Sequence, residues 1–194
     1  MSVFGSARTK PDHPYYLLGE ALGRKLSDAG FSVVTGGGPG LMEAVNKGAF
    51  AGRSPSVGLN IRLPREESEN AYQDLSLHFQ HFFARKVMFV KHASAYVCLP
   101  GGYGTLDELM EILTLVQTGK IPRIPIVLIN REFWQGAVDW LRASLVVDGM
   151  IDAADPDLMT IVETADEAVK VIFDHYGEKG FERSPAEREL MSEL

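Results

Sequence analysis

"AYVCLPGGYGTLDELMEILTLVQ", residues 95–117, is the stretch whose reading decides the fold. Its first five residues are apolar, as a strand covered on both faces should be. Glycines then make a tight turn, and apolar residues recur at helical spacing from Leu106 onward. The same succession occurs earlier, where "FSVVT" (31–35) runs through "GGGPG" (36–40) into "LMEAVNKGAFAG" (41–52). Further strands are expected at 2–5, 56–60, 75–79, 124–129 and 158–162. Helices are expected near 14–29, 40–52, 82–92, 105–118, 132–146 and 165–177. This alternation predicts an α/β fold: a doubly wound, mainly parallel sheet with helices on both faces.

The chain has 194 residues, enough for one domain with a full core. A single domain is expected over 1–180, with the charged stretch 181–194 as a tail or peripheral helix. Residues 62–74, "RLPREESENAYQD", form the one long polar insert, a surface loop or a lid. A net charge of −7 argues against a nucleic-acid partner, which needs a basic face. It leaves room for a small anion held by local cations and backbone amides. No apolar run approaches membrane-spanning length and no leader pattern opens the chain, so no membrane partner is expected. The lone Cys98 forms no intrachain disulfide and suits a reduced, cytoplasmic setting.

An open parallel sheet binds ligands beyond the carboxyl ends of its strands. Three expected strands end there in small or glycine-rich sequence: "FGSAR", "VVTGGGPG" and "VCLPGGYGT". Glycine lets the backbone approach a ligand, and the amides of a following helix favour an anion. These loops predict a phosphate or nucleotide site. No Gly-Lys-Ser/Thr follows either glycine loop, which excludes a Walker P-loop. Leu41 and Asp107 stand where a dinucleotide fingerprint needs its third glycine, and "LNIR" offers no acid for a ribose 2′-hydroxyl. A redox enzyme is disfavoured, and a mononucleotide or sugar phosphate fits better.

Thr105-Leu-Asp-Glu108 has the spacing of a helix capping box, as do Thr164/Glu167 and Ser184/Glu187. Glu108 therefore reads either as a cap or as a carboxylate facing something uncharged, such as a sugar. In "FFARKVMF" (82–89), Arg85 and Lys86 lie between phenylalanines. Their stems can pack on an apolar face, or the arginine fork can bind phosphate or a leaving base. His78 and His81 are a weak candidate metal pair, because a strand-to-helix junction turns them apart. Lys86 is the only lysine placed to serve a pyridoxal-phosphate decarboxylase, and nothing else supports that chemistry.

"GGGPGLMEA", "ARK" and "PGGYGTLDE", in this order and spacing, resemble the LOG (LONELY GUY) family of nucleoside 5′-monophosphate phosphoribohydrolases, once labelled lysine decarboxylases. The resemblance runs from "VFGSAR" to about residue 150. It implies a Rossmann-like fold, no cofactor, no metal, and a homodimer or higher homo-oligomer. The implied reaction splits the N-glycosidic bond of AMP or a cytokinin riboside 5′-monophosphate, releasing free base and ribose 5-phosphate. Carried over by position, Arg85 and Glu108 are the catalytic pair; Gly101, Gly102, Gly104 and Thr105 bind phosphate; Gly37 and Gly38 line the site. Ser6, Glu43 and Lys86 are possible pocket residues. The chain departs from plant members at Phe82-Phe83, where they have Met-His. Its first glycine loop is also a residue shorter, which brings Glu43 near the site. The alternative is a nucleotide or cofactor carrier like the molybdenum cofactor carrier proteins, which would not need a carboxylate at the ribose.

Overall fold

Strands covered on both faces need apolar residues pointing both ways, and the short runs of this chain supply them. The structure is a computed structural model that describes residues 1–62, 69–177 and 180–194. Its strands are β1 (Ser2–Phe4), β2 (Val33–Thr35), β3 (Ser56–Ile61), β4 (Leu75–Phe79), β5 (Tyr96–Cys98), β6 (Ile126–Ile129) and β7 (Met159–Val162). The helices are α1 (Pro14–Asp28), α2 (Leu41–Phe50), α3 (Phe82–Lys91), α4 (Tyr103–Gln117), α5 (Arg131–Trp140), α6 (Ala165–Tyr176) and α7 (Pro185–Ser192). The helix expected over 132–146 is regular only to Trp140 and then widens through Leu141–Val146.

All seven strands join one sheet in the order β4-β3-β2-β1-β5-β6-β7, and every pairing is parallel. Alternate residues face opposite layers. Val3, Val97, Val127 and Ile129 pack with Leu22, Leu26, Val45 and Ile172 on the side of α1, α2 and α6. Phe4, Tyr96, Cys98, Ile126 and Leu128 pack with Phe89, Leu109, Ile112 and Trp134 on the side of α3, α4 and α5. Met191 of α7 joins this second core. Among the described residues, no helix is long and apolar enough to cross a membrane.

The chain winds from β1 out to β4, then returns through α3 to place β5 on the other side of β1. The order of the sheet therefore reverses between β1 and β5, where Phe4 pairs with Cys98. Such a reversal opens a crevice at the carboxyl ends of the two strands. Within the insert 62–74, residues 63–68, on which the choice between loop and lid turns, lie outside the described residues. Its end is tied to the sheet, with Asp74 exchanging hydrogen bonds with the Ser56 backbone at 2.7 and 2.8 Å.

The first glycine loop feeds α2, which lies against α1 through backbone contact. A Cβ on Gly48 would sit 1.9 Å from the Glu20 carbonyl oxygen, and one on Gly23 would sit 2.0 Å from that of Val45. Gly48→Ala is expected to lower stability by about 1–3 kcal/mol through overpacking, despite alanine's better helix propensity. A lower melting temperature in thermal denaturation checks this.

Candidate functional site

The loops after β1 and β5 are joined at the crevice. The Ser6 amide donates to the Pro100 carbonyl at 3.1 Å, and the Ser6 carbonyl accepts from the Leu41 amide at 2.8 Å. Above them opens a cleft of about 1480 Å³ that reaches from Ser6 and the start of α4 across the sheet to His78 on β4.

Helix α4 begins at Tyr103 with Gly102 as its cap residue, and no side chain caps it. Thr105 is thus the third helical residue and Glu108 lies in the second turn, so the expected Thr105/Glu108 capping box does not form. The Thr164/Glu167 and Ser184/Glu187 boxes do form, each with both reciprocal bonds. The difference lies in where the helix starts: α4 begins two residues before Thr105, so the threonine is inside the helix and not at its cap. The Thr105 and Leu106 amides both donate to the Gly102 carbonyl at 3.0 Å, and the start of the helix opens on the cleft, where the helix end favours negative charge.

Glu108 is instead buried at 6% exposure in the wall of the cleft, and its Oε2 atom is buried with no hydrogen-bond partner among the described residues. Burial pushes its carboxyl up to about 7, opposed mainly by the Lys86 charge. Lys86 binds Asp107 at 2.8 Å and Glu111 at 2.5 Å, and lies 3.8 Å from Glu108 Oε1. Burial alone would lower its ammonium pKa; the bonds to Asp107 and Glu111 raise it. Lys86 thus neutralises Asp107 and Glu111 without lining the cleft, although Asp107 itself stands in the cleft wall.

Arg85 lines the cleft and is fixed from below. Its Nε donates to the Leu59 carbonyl at 2.7 Å, one terminal nitrogen reaches the Gly36 carbonyl at 3.4 Å, and the guanidinium lies 5.2 Å from the Phe89 ring centroid. Burial lowers its pKa and Glu108 opposes that shift. A Cβ on Gly36 would sit 2.5 Å from the guanidinium, so this glycine makes room for the arginine.

Of the residues singled out in the sequence, Ser6, Gly38, Arg85, Gly102, Gly104, Thr105 and Glu108 share the cleft wall. Gly37, Gly101, Glu43 and Lys86 do not line it. Gly37, at φ 74°, turns inward: its amide donates to Thr35 Oγ1, and its carbonyl accepts from Asn70 and Gln73. Gly101 packs under Thr105, whose Oγ1 would lie 2.1 Å from an added Cβ. Glu43 accepts from the Tyr16 hydroxyl at 2.8 Å, and its neighbour Met42 faces the cleft. His78 pairs with Glu69, whereas His81 stacks on Phe83, so the two histidines do not converge. Among the described residues no group of His, Cys, Asp and Glu is arranged to hold a metal.

Sequence reasoning missed the amide network under the first glycine loop. Asn46 accepts from Thr35 and Asn70; Asn70 also donates to the Gly38 carbonyl; Asn60 donates to Gln73 and Ser76. Its sequence signal is the pair of polar residues, Ser56 and Asn60, in the otherwise apolar strand β3.

A doubly wound parallel sheet with a cleft at its switch point defines a Rossmann-like α/β protein. Residues 42–172 match the family described as "Possible lysine decarboxylase". The chain is 34% identical over 149 residues to the probable cytokinin riboside 5′-monophosphate phosphoribohydrolase LOG4 of Oryza sativa subsp. japonica, an alignment spanning 75% of this chain and 64% of that relative's length. It is 31% identical over 157 residues to the cytokinin riboside 5′-monophosphate phosphoribohydrolase LOG1 of Arabidopsis thaliana, spanning 79% and 73% of the two chains. Among solved structures, TM1055 superposes with a TM-score of 0.65 at 26% identity, covering 89% of this chain and 97% of that one. The molybdenum cofactor binding protein of Rippkaea orientalis shares the fold, with a TM-score of 0.63 at 19% identity and coverage of 90% and 93%. The chain belongs to the LOG family of phosphoribohydrolases.

A carboxyl raised from 4.5 to about 7 is protonated in the folded state over a range where the unfolded chain has lost that proton. Its burial therefore costs nothing below pH 4.5, costs progressively more up to about pH 7, and is constant above. Glu108→Gln removes that cost, so its advantage over wild type is expected to be absent at pH 4.5 and to grow to on the order of 3 kcal/mol by about pH 7 to 8. Urea denaturation of both proteins across this range measures the gap.

Proposed function

We propose that this chain hydrolyses the N-glycosidic bond of a nucleoside 5′-monophosphate, releasing free base and ribose 5-phosphate. The observation that carries the reading is Glu108: buried, free of any capping role, and with an unpartnered oxygen in a cleft that also holds Arg85. Amides at the start of α4, with Gly102, Gly104 and Thr105, take the phosphate. This places the ribose alongside Glu108. Breaking the C1′–N bond builds positive charge on the sugar. Ionised Glu108 stabilises that charge and accepts a proton from the attacking water. Arg85 spends two of its five donors on backbone carbonyls. The remaining N–H groups serve the departing base. No step calls for a cofactor or metal.

Glu108→Gln is expected to keep nucleotide binding and lose roughly 10²–10⁴-fold in turnover. Wild-type kcat/KM should rise through about pH 7 as Glu108 ionises. Chromatography of AMP and isopentenyl-AMP after incubation with each protein reads the released base. If both nucleotides bind and neither is cleaved, the chain is a nucleotide carrier and the hydrolase reading falls.

We further propose a homodimer or an assembly of dimers acting in the cytoplasm. Leu109 and Ile112 of α4 are buried in the core, but Met110 is exposed, as are the neighbouring Phe83 and Tyr103. This uncovered apolar surface around α3 and α4 suits a second subunit. Light scattering at micromolar concentration should report at least a dimer, and a monomer would remove the proposal. The single buried Cys98 suits a reducing compartment.

A further inference from the structure

The cleft is longer than its phosphate and ribose sites require. It crosses the ends of β5, β1, β2, β3 and β4, a run of roughly 19 Å at the usual strand spacing. With phosphate at the β5 end and the scissile bond near Glu108 and Arg85, the base extends toward β3 and β4.

That end combines one apolar surface with a charged edge. Phe82 stands 53% exposed on the cleft wall, a ring with one face free to stack on a base. Beyond it lie Arg62, Glu69 and His78. Glu69 pairs with His78 through one carboxylate oxygen and accepts from Ser76 Oγ at 3.2 Å through the other. Ser76 is held in turn by Asn60 at 2.7 Å. The carboxylate is thus fixed in orientation while retaining free lone pairs. Arg62 makes no ion pair among the described residues and supplies donors to the same edge.

On the reading of the site as a phosphoribohydrolase, we propose that this end selects nucleoside monophosphates whose base carries an unsubstituted exocyclic amino group. Glu69 is the acceptor for that amino group, and His78 is its positioning residue. Arg62 donates to a ring nitrogen or carbonyl of the same base. An N6-prenylated adenine keeps one N–H but lays its alkyl chain against charged groups, which must then lose water without gaining a partner. The preference therefore runs opposite to that implied by the names of the plant relatives.

The test uses Glu108→Gln protein, so that ligands are not consumed, and calorimetric titration with AMP, isopentenyl-AMP and ribose 5-phosphate. AMP is expected to bind roughly tenfold or more tightly than isopentenyl-AMP, the cost of desolvating a charged group beneath the alkyl chain without giving it a partner. Adding Glu69→Leu should abolish that preference and leave ribose 5-phosphate affinity unchanged. Equal or tighter binding of isopentenyl-AMP would overturn the proposal, as would an AMP preference that survives Glu69→Leu. A parallel loss of ribose 5-phosphate binding would also overturn it, since Glu69 would then be scaffolding. The readout is binding, so failure of wild-type protein to release base counts against hydrolysis alone and leaves this selectivity measurable.

Discussion

Parallel pairing throughout the sheet is the constraint on which everything else depends. It sends every strand's carboxyl end to one edge, so loops remote in sequence must meet there. The return of the chain through α3 then sets β5 beside β1. That one crossing joins the Ser6 loop to the Pro100 loop and aims the start of α4 into the gap. It also lays α3 beneath the cleft, which carries Arg85 to the carbonyl of Leu59 in β3 and that of Gly36 just past β2.

The charges of the site are separated by depth. Lys86 and Arg85 are adjacent in sequence and point to different places. Lys86 pairs with Asp107 and Glu111 of α4 and does not line the cleft, whereas Arg85 does. Glu111 and Asp107 already add their repulsion to the burial of Glu108, and without the opposing Lys86 charge its carboxyl would be driven further toward the neutral form. The lysine thereby keeps ionisation of Glu108 within reach of neutral pH, without itself entering the cleft.

Much of this is legible in the sequence, and the limits have physical causes. Runs such as "YVCL" and "IPIVLI" reveal doubly covered strands, and glycine turns mark the edge they end on. Glu108 reads two ways because capping spacing is local, and only the early start of α4 at Tyr103 separates it from Glu167 and Glu187. Which glycine of the triplet meets the ligand is not legible, since one residue's rotation exchanges Gly36 and Gly38 for Gly37. The amide network is likewise hidden. Its bonds join residues 10 to 36 apart, and asparagine or glutamine in isolation resembles any loop residue. The two turned-away candidates, Glu43 and Lys86, have their partners on other helices, Tyr16 on α1 and the acids of α4.

Arg85 is gripped by main-chain oxygens of Leu59 and Gly36, and every residue type except proline presents its carbonyl in the same way. The wall proposed to face the base is made instead of side chains: Phe82, Arg62, Glu69 and His78. The cleft is accordingly divided between an invariant frame and an interchangeable lining. Mutation can rewrite the lining one residue at a time while the arginine keeps its seat. A protein built this way can drift among ligands over evolutionary time without first having to rebuild its chemistry.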